Sequence, residues 1–160
     1  MSSTFKKVVV VRFNRTVHRG YVDPSRLGHG PVVDLLTEAG ERLSVPLDDV
    51  SGIYFVRNFE DNFEPERKAF LTRPKMEGLW VRLRMRDGGE LEGIVPNDLL
   101  TLLDSGVHLT PPDLRGNTVR LFIPRSALVE LKVLGVVGAS RRPTERVAGR
   151  QHELFGRNRN

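Results

Sequence analysis

Apolar residues recur at every second position in one short stretch after another. Val9, Val11 and Phe13 share a face of residues 6–13, and such alternation marks a half-buried strand. Asn14-Arg15-Thr16 supplies turn chemistry and Val17 to Val22 runs back. After the loop Gly28-His29-Gly30-Pro31, Val32 to Leu36 and Arg42 to Pro46 form a pair around Ala39-Gly40-Glu41, and Val50 to Val56 follows. Pro46 suits a strand end, where a missing N–H does no harm. Leu79 to Arg86 is the longest strand of the second half. Asp87-Gly88-Gly89 is a strong hairpin turn, because glycine accepts positive φ, and Glu90 to Val95 returns. Leu99 to Leu103 and Val107 to Leu109 read as weaker strands, with a helical turn opened by Pro96-Asn97-Asp98 and running through Leu103 as the less favoured alternative. Val119 to Ile123 and Leu128 to Leu134 complete the set.

One sentence is written twice. Val45-Pro46-Leu47-Asp48-Asp49-Val50-Ser51-Gly52-Ile53-Tyr54-Phe55 aligns without gaps on Ile123-Pro124-Arg125-Ser126-Ala127-Leu128-Val129-Glu130-Leu131-Lys132-Val133. The shared pattern is apolar-Pro-x-x-x-apolar-x-x-apolar-x-apolar. Each copy follows a strand-turn-strand pattern that ends at a glycine, Gly20 in one and Gly93 in the other. Such a repeat implies two copies of one small fold. The expected organisation is a first barrel over residues 1–56, a connecting segment over 57–78, a second barrel over 79–138 and a tail over 139–160.

The pattern Val81-x-Leu83-x-Met85-x-Asp87-Gly88-x-x-Leu91-x-Gly93 is similar to the first motif of Sm-like proteins, and Ile123 to Leu131 resembles their second motif in its Hfq-type form. The whole chain, with Phe55-Val56-Arg57-Asn58-Phe59-Glu60 at its junction, also resembles an uncharacterised bacterial family of paired barrels of this kind. The resemblance implies bent five-stranded barrels and binding of single-stranded RNA at loop positions. The Tyr-Lys-His of Hfq-type proteins falls on Pro124-Arg125-Ser126 and on Pro46-Leu47-Asp48, so Arg125 is the position that keeps a charge able to meet phosphate.

Composition narrows the function classes. The chain has 160 residues, 39% of them apolar, and no cysteine. That excludes a disulfide scaffold, a thiolate metal site and a cysteine nucleophile, and fits a reducing compartment. The apolar run from Val8 to Val11 is too short for a signal peptide or a membrane span. A cytoplasmic protein without membrane contact is expected. The net charge of +5 is unevenly placed: residues 139–160 hold six arginines against two glutamates, while residues 1–138 are close to neutral. The basic character therefore belongs to a tail expected to be a disordered arm. The four histidines are widely spaced, and no HExxH, P-loop, GxGxxG or GxSxG occurs. No metal, no cofactor and no catalytic role is expected.

Three candidate surfaces remain. Trp80, Arg82, Arg84 and Arg86 lie at alternate positions of one strand and so share a face, and Arg120 and Phe122 are spaced to face outward in the same way. Arginine neutralises phosphate and an aromatic ring stacks a base, so this face, with Arg125 and the tail residues Arg141 and Arg142, suits RNA or another single-stranded nucleic acid. The bland alternative is a solvated face whose arginines pair with Asp87, Glu90 or Glu92. The second surface reads as RxxxR then DxSxxG: Arg15 and Arg19, then Asp23, Ser25 and Gly28. These signatures resemble those of PilZ domains, which implies cyclic di-GMP binding. The third is the segment Phe59 to Phe70, charged yet with three phenylalanines, which either packs over the seam between the barrels or docks a protein partner.

The sequence thus predicts an all-β protein of two tandem small five-stranded Sm-like or SH3-like barrels with a basic C-terminal tail. It predicts a non-catalytic binding module, first for RNA or single-stranded nucleic acid, alternatively a cyclic di-GMP effector or a protein adaptor. Open barrel edges favour side-by-side association between the copies or between chains as a homo-oligomer.

Overall fold

The computed structural model describes residues 4–60, 63, 68–102 and 104–138. Ten strands carry the fold: β1 (Lys6–Arg12), β2 (Val17–Val22), β3 (Val32–Thr37), β4 (Arg42–Pro46), β5 (Val50–Val56), β6 (Gly78–Met85), β7 (Glu90–Val95), β8 (Gly106–Leu109), β9 (Thr118–Pro124) and β10 (Leu128–Val137). Among the described residues the single α-helix, α1 (Leu99–Leu102), is one turn long. The protein is therefore all-β, with strands close to the positions that the alternation predicts.

The expected strand from Leu99 is the exception. Asp98 decides for the helical turn: its carboxylate accepts the Leu100 N–H at 3.0 Å and the Thr101 hydroxyl at 3.1 Å. A side chain that bonds forward in this way draws the backbone into a turn and out of a ladder.

The strands are antiparallel and form two sheets, one of order β4-β3-β2-β1-β5-β9-β8 and one of order β10-β6-β7. Among the described residues neither sheet closes into a barrel. The two sheets do not follow the expected division into two halves, since the strands of the second half are shared between them. The cause is local. With α1 inserted between them, β7 and β8 form no ladder. The backbone is bridged at Ile94 and at Thr110, just past β8, which exchange hydrogen bonds of 3.0 and 2.9 Å. The strand β9 meanwhile pairs with β5 of the first half, setting Ile53 opposite Phe122, Tyr54 opposite Leu121 and Phe55 opposite Arg120.

The two aligned segments adopt the same local path. Pro46 ends β4, Leu47–Asp49 makes one 3-10 turn, and β5 begins at Val50; Pro124 ends β9, Arg125–Ala127 makes the same turn, and β10 begins at Leu128.

Two hydrophobic cores result, and each borrows from the other half. Val8, Val10, Val22, Val33, Leu35, Val45, Val50, Ile53 and Phe55 build the first, with Phe122 from β9 among them. The second is built from Leu79, Val81, Leu83, Met85, Val95, Val107, Leu109, Leu121 and Ile123, with Phe13 and Tyr54 packed against it. Side chains on a strand point alternately to its two faces. Leu121 and Ile123 thus serve one core while Phe122 serves the other.

Four strands end the two sheets: β7 and the end of β8 are linked by the Ile94–Thr110 bridge, while β4 and β10 have no bridge on their outer side among the described residues. β4 has β3 on one side only, and β10 has β6 on one side only. The ladder of β10 on β6 runs from Leu128 opposite Met85 to Val137 opposite Gly78, with register shifts after Leu128 and Val133.

Candidate interaction surfaces

The strand face of β6 is built as alternation predicts. Val81 and Leu83 are fully buried, and Trp80, Arg82 and Arg84 point the other way. That face is not open. Across the hairpin, Glu92 of β7 lies opposite Arg82 and is itself nearly buried. Its carboxylate accepts the Trp80 indole N–H at 3.0 Å, the Phe70 backbone N–H at 3.2 Å and the Arg82 guanidinium at 3.4 Å. The Glu92 backbone N–H in turn donates to the Lys68 carbonyl at 2.7 Å. The connecting segment so lies along β7 and sets the Phe70 ring edge-on to Trp80, with centroids 6.1 Å apart.

The remaining arginines of the face are also engaged. Arg84 pairs with Glu130 of β10 at 3.3 Å. Arg86 reaches the first half, donating to the Asp48 carbonyl at 2.6 Å with its guanidinium 4.1 Å from the Phe13 ring centre. Arg82 pairs with Glu92, as the bland alternative holds, but Glu130 and the Asp48 carbonyl were not foreseen. Both come from elements distant in sequence, which the alternation of one strand cannot reveal.

Arg120 and Phe122 do not join that face. Phe122 is 2% exposed in the first core, tilted against His108 with centroids 4.8 Å apart. Its expected outward orientation is corrected: both faces of β9 carry a core. Arg120 lies over the Phe55 ring at 4.3 Å, and burial lowers its pKa from the ordinary guanidinium value. Arg125 is exposed at the turn after Pro124, with its guanidinium 3.3 Å from the Asp104 carbonyl. Arg141 and Arg142 lie outside the described residues.

The RxxxR–DxSxxG set is not assembled. Arg15 stands at the tip of the β1–β2 hairpin with φ of 73°, while Asp23 follows the far end of β2. At roughly 3.4 Å per residue, eight residues of extended chain hold them well apart. Arg19 bonds the Glu60 carbonyl at 2.7 Å and pairs with Glu38 at 3.5 Å. Asp23 accepts the Ser25 N–H and hydroxyl at 3.0 and 2.8 Å, capping a 3-10 turn. Gly28, at φ of 84°, sits so close to Ser105 and Phe122 that no larger residue fits. Asp23, Ser25 and Gly28 thus have structural duties in the loop between β2 and β3.

The connecting segment places each of its phenylalanines on an aromatic ring: Phe59 on Tyr21 at 5.6 Å, Phe63 on Tyr54 at 4.9 Å and Phe70 on Trp80. Burial pushes the Tyr54 phenol up to about 12. Among the described residues no three His, Asp or Glu side chains converge as metal ligands would. No described helix is long and apolar enough to cross a membrane. A cleft of about 490 Å³ opens where β2 and β3 diverge, lined among others by Phe5, Asp23, Arg26, His29, Asp34 and Arg42.

The surface that sequence reasoning missed is β10. Val129, Val133 and Val136 are 54%, 49% and 52% exposed along it. Alternation shows which residues share a side, and only the sheet order shows that, among the described residues, no strand pairs with the outer edge of β10.

Residues 4–135 match the model of a family described as a family of unknown function, DUF6982. The chain belongs to that family. No curated protein and no solved structure matches the chain. For this DUF6982 member the surfaces themselves must therefore carry any functional reading.

Proposed function

We propose that this chain is a non-catalytic protein-interaction module that works through the open edge of β10. One observation carries this reading: among the described residues, a ten-residue strand has a neighbouring strand on one side only and exposes three valines. Natural edge strands are usually short, or blunted by charge or proline. Between Leu128 and Val137 the charges are Glu130 and Lys132 alone, and there is no proline. The ladder on β6 shifts register after Leu128 and Val133, and Arg73 donates to the Val136 carbonyl at 3.0 Å. The stretch between the two shifts is therefore the part of the edge that offers backbone N–H and C=O groups to an incoming extended segment, with side-chain sites at alternate positions to select it. We read the architecture behind this edge as two Sm-like units side by side. Their orders of neighbours support it: β4-β3-β2-β1-β5 in the first half, and in the second β10-β6-β7 continued through the Ile94–Thr110 bridge to β8 and β9.

Selection from a display library of random extended peptides tests the edge. The enriched peptides are expected to protect β10 amides from exchange and to lose binding to Val133→Lys. Enrichment of peptides indifferent to that substitution contradicts the reading.

A second reading, binding of single-stranded nucleic acid, is supported by Arg82 and Arg84, whose side chains stay 43% and 47% exposed despite their ion pairs. Anisotropy of a labelled RNA with the full chain tests it. Affinity should fall steeply with salt and drop in Arg84→Ala. Binding unchanged by Arg84→Ala assigns any nucleic-acid affinity elsewhere.

A further inference from the structure

The joint between the two halves contains a template for a joint between two chains. Inside the molecule, β9 pairs with β5. The gap-free alignment makes β4 the counterpart of β9 and β10 the counterpart of β5. These two counterparts are the end strands that, among the described residues, have no bridge to another strand on their outer side. We propose that β4 of one chain pairs with β10 of a second copy, in the register that β9 and β5 show within the chain. This deepens the edge reading above by naming the occupant.

The register follows residue by residue. Ile53–Phe122, Tyr54–Leu121 and Phe55–Arg120 within the chain translate into Leu131–Ser44, Lys132–Leu43 and Val133–Arg42 between chains. The side-chain directions agree with this. On β9, Leu121 and Ile123 face their own core, while Arg120 and Phe122 face the neighbouring half. On β4, Leu43 and Val45 face their own core, and Arg42 and Ser44 are exposed on the other face, where they line the cleft beside β3 and the Ser44 hydroxyl donates to Asp34 at 3.0 Å. On β5, Phe55 is 3% exposed, packed in the first core with the Arg120 guanidinium of β9 over its ring. Its counterpart Val133 is 49% exposed. Among the described residues no ion pair or side-chain hydrogen bond holds the Arg42 guanidinium. Paired as proposed, the aliphatic stem of Arg42 covers Val133 and its charge stays in water.

The joint between chains is weaker than the internal one. Within the chain, Asn58 and Asn117 clamp the ladder's end with two hydrogen bonds of 2.9 and 2.8 Å. Their aligned positions are Val136 and Ala39, which cannot make that clamp. Association is therefore reversible. It is also head-to-tail: each chain offers one β4 and one β10, so the contact repeats into a ring or a filament.

Cysteine pairing tests the register, because the chain has no cysteine of its own. Directly opposed residues of antiparallel strands lie about 4.5–5.5 Å apart at Cα, within reach of a disulfide. Full-length Arg42→Cys and Val133→Cys proteins, both altered at exposed positions, are mixed and mildly oxidised. A disulfide dimer containing one of each is expected, together with a ladder of covalent oligomers from the double variant. A yield no higher than that from Arg42→Cys mixed with Leu71→Cys, an exposed control position, overturns the proposal. So does a dominant Val133→Cys homodimer, which would mean that two β10 edges meet. So do protected β10 amides in a strictly monomeric sample, which would assign the edge to the chain's own residues 139–160. In these three cases peptide capture lost in Val133→Lys would leave the edge reading standing, and its absence would end both.

Discussion

The guanidinium of Arg120 lies 4.3 Å from the centre of the Phe55 ring, across the ladder that joins the two halves. Burial lowers the Arg120 pKa, and its Nε has no hydrogen-bond partner, so the ring face is what compensates the buried charge. Phe55→Leu removes that compensation and leaves a void in the first core. A loss of about 2–3 kcal/mol is expected in urea unfolding. In the Phe55→Leu background, Arg120→Met should recover part of the loss, because an apolar side chain of similar reach needs no counter-group there.

Phe122 is a core residue of the half to which it does not belong in sequence. Phe122→Ala is expected to cost about 3–5 kcal/mol. The loss should appear in one cooperative transition, since the cavity lies where the halves meet. A substitution with less than about 0.5 kcal/mol effect would instead mark an exposed ring.

Two histidines make the fold sensitive to acid. Burial, then the charge of Arg120, lowers the His108 pKa, with Asp104 acting in the opposite sense. Burial and then Arg12 lower that of His18. A histidine with a lowered folded pKa stays neutral in the fold while the unfolded chain takes up its proton. Its contribution is therefore complete above roughly pH 6.5 and declines as pH falls below it. The urea midpoint should fall between about pH 7 and pH 5, and His108→Gln should flatten that slope.

Glu92 ties three donors together, and Trp80 is the chain's only tryptophan. Glu92→Ala leaves the Trp80 and Phe70 N–H groups without their acceptor, at about 1–3 kcal/mol for each that stays buried. Emission should shift to the red as the Phe70 cover loosens. Glu92→Gln keeps an acceptor oxygen and should shift it little.

The sequence shows most strands because alternation and turn chemistry are local. Asp87-Gly88-Gly89 forms its hairpin, with the Gly88 N–H donating to Met85 at 2.9 Å and φ at 93°. What alternation cannot show is what lies on each side of a strand. Phe122 looked outward because Leu121 and Ile123 look inward, yet the neighbouring half supplies a second interior. Trp80 and the arginines did share a face. Their availability, however, depended on Glu92, Glu130 and the Lys68–Phe70 segment, which long-range packing brings there. The short apolar run Leu99 to Leu102 fits either strand or helix, and one aspartate before it decided the matter.

The central claim is that the free edges of this chain are made for each other. Sedimentation velocity over a concentration series of the full chain and of Val133→Lys tests it most directly. The account predicts that the unaltered chain moves to heavier species as concentration rises, and that the lysine variant stays monomeric with unchanged unfolding. A monomer at every concentration, or two proteins that sediment alike, would contradict it.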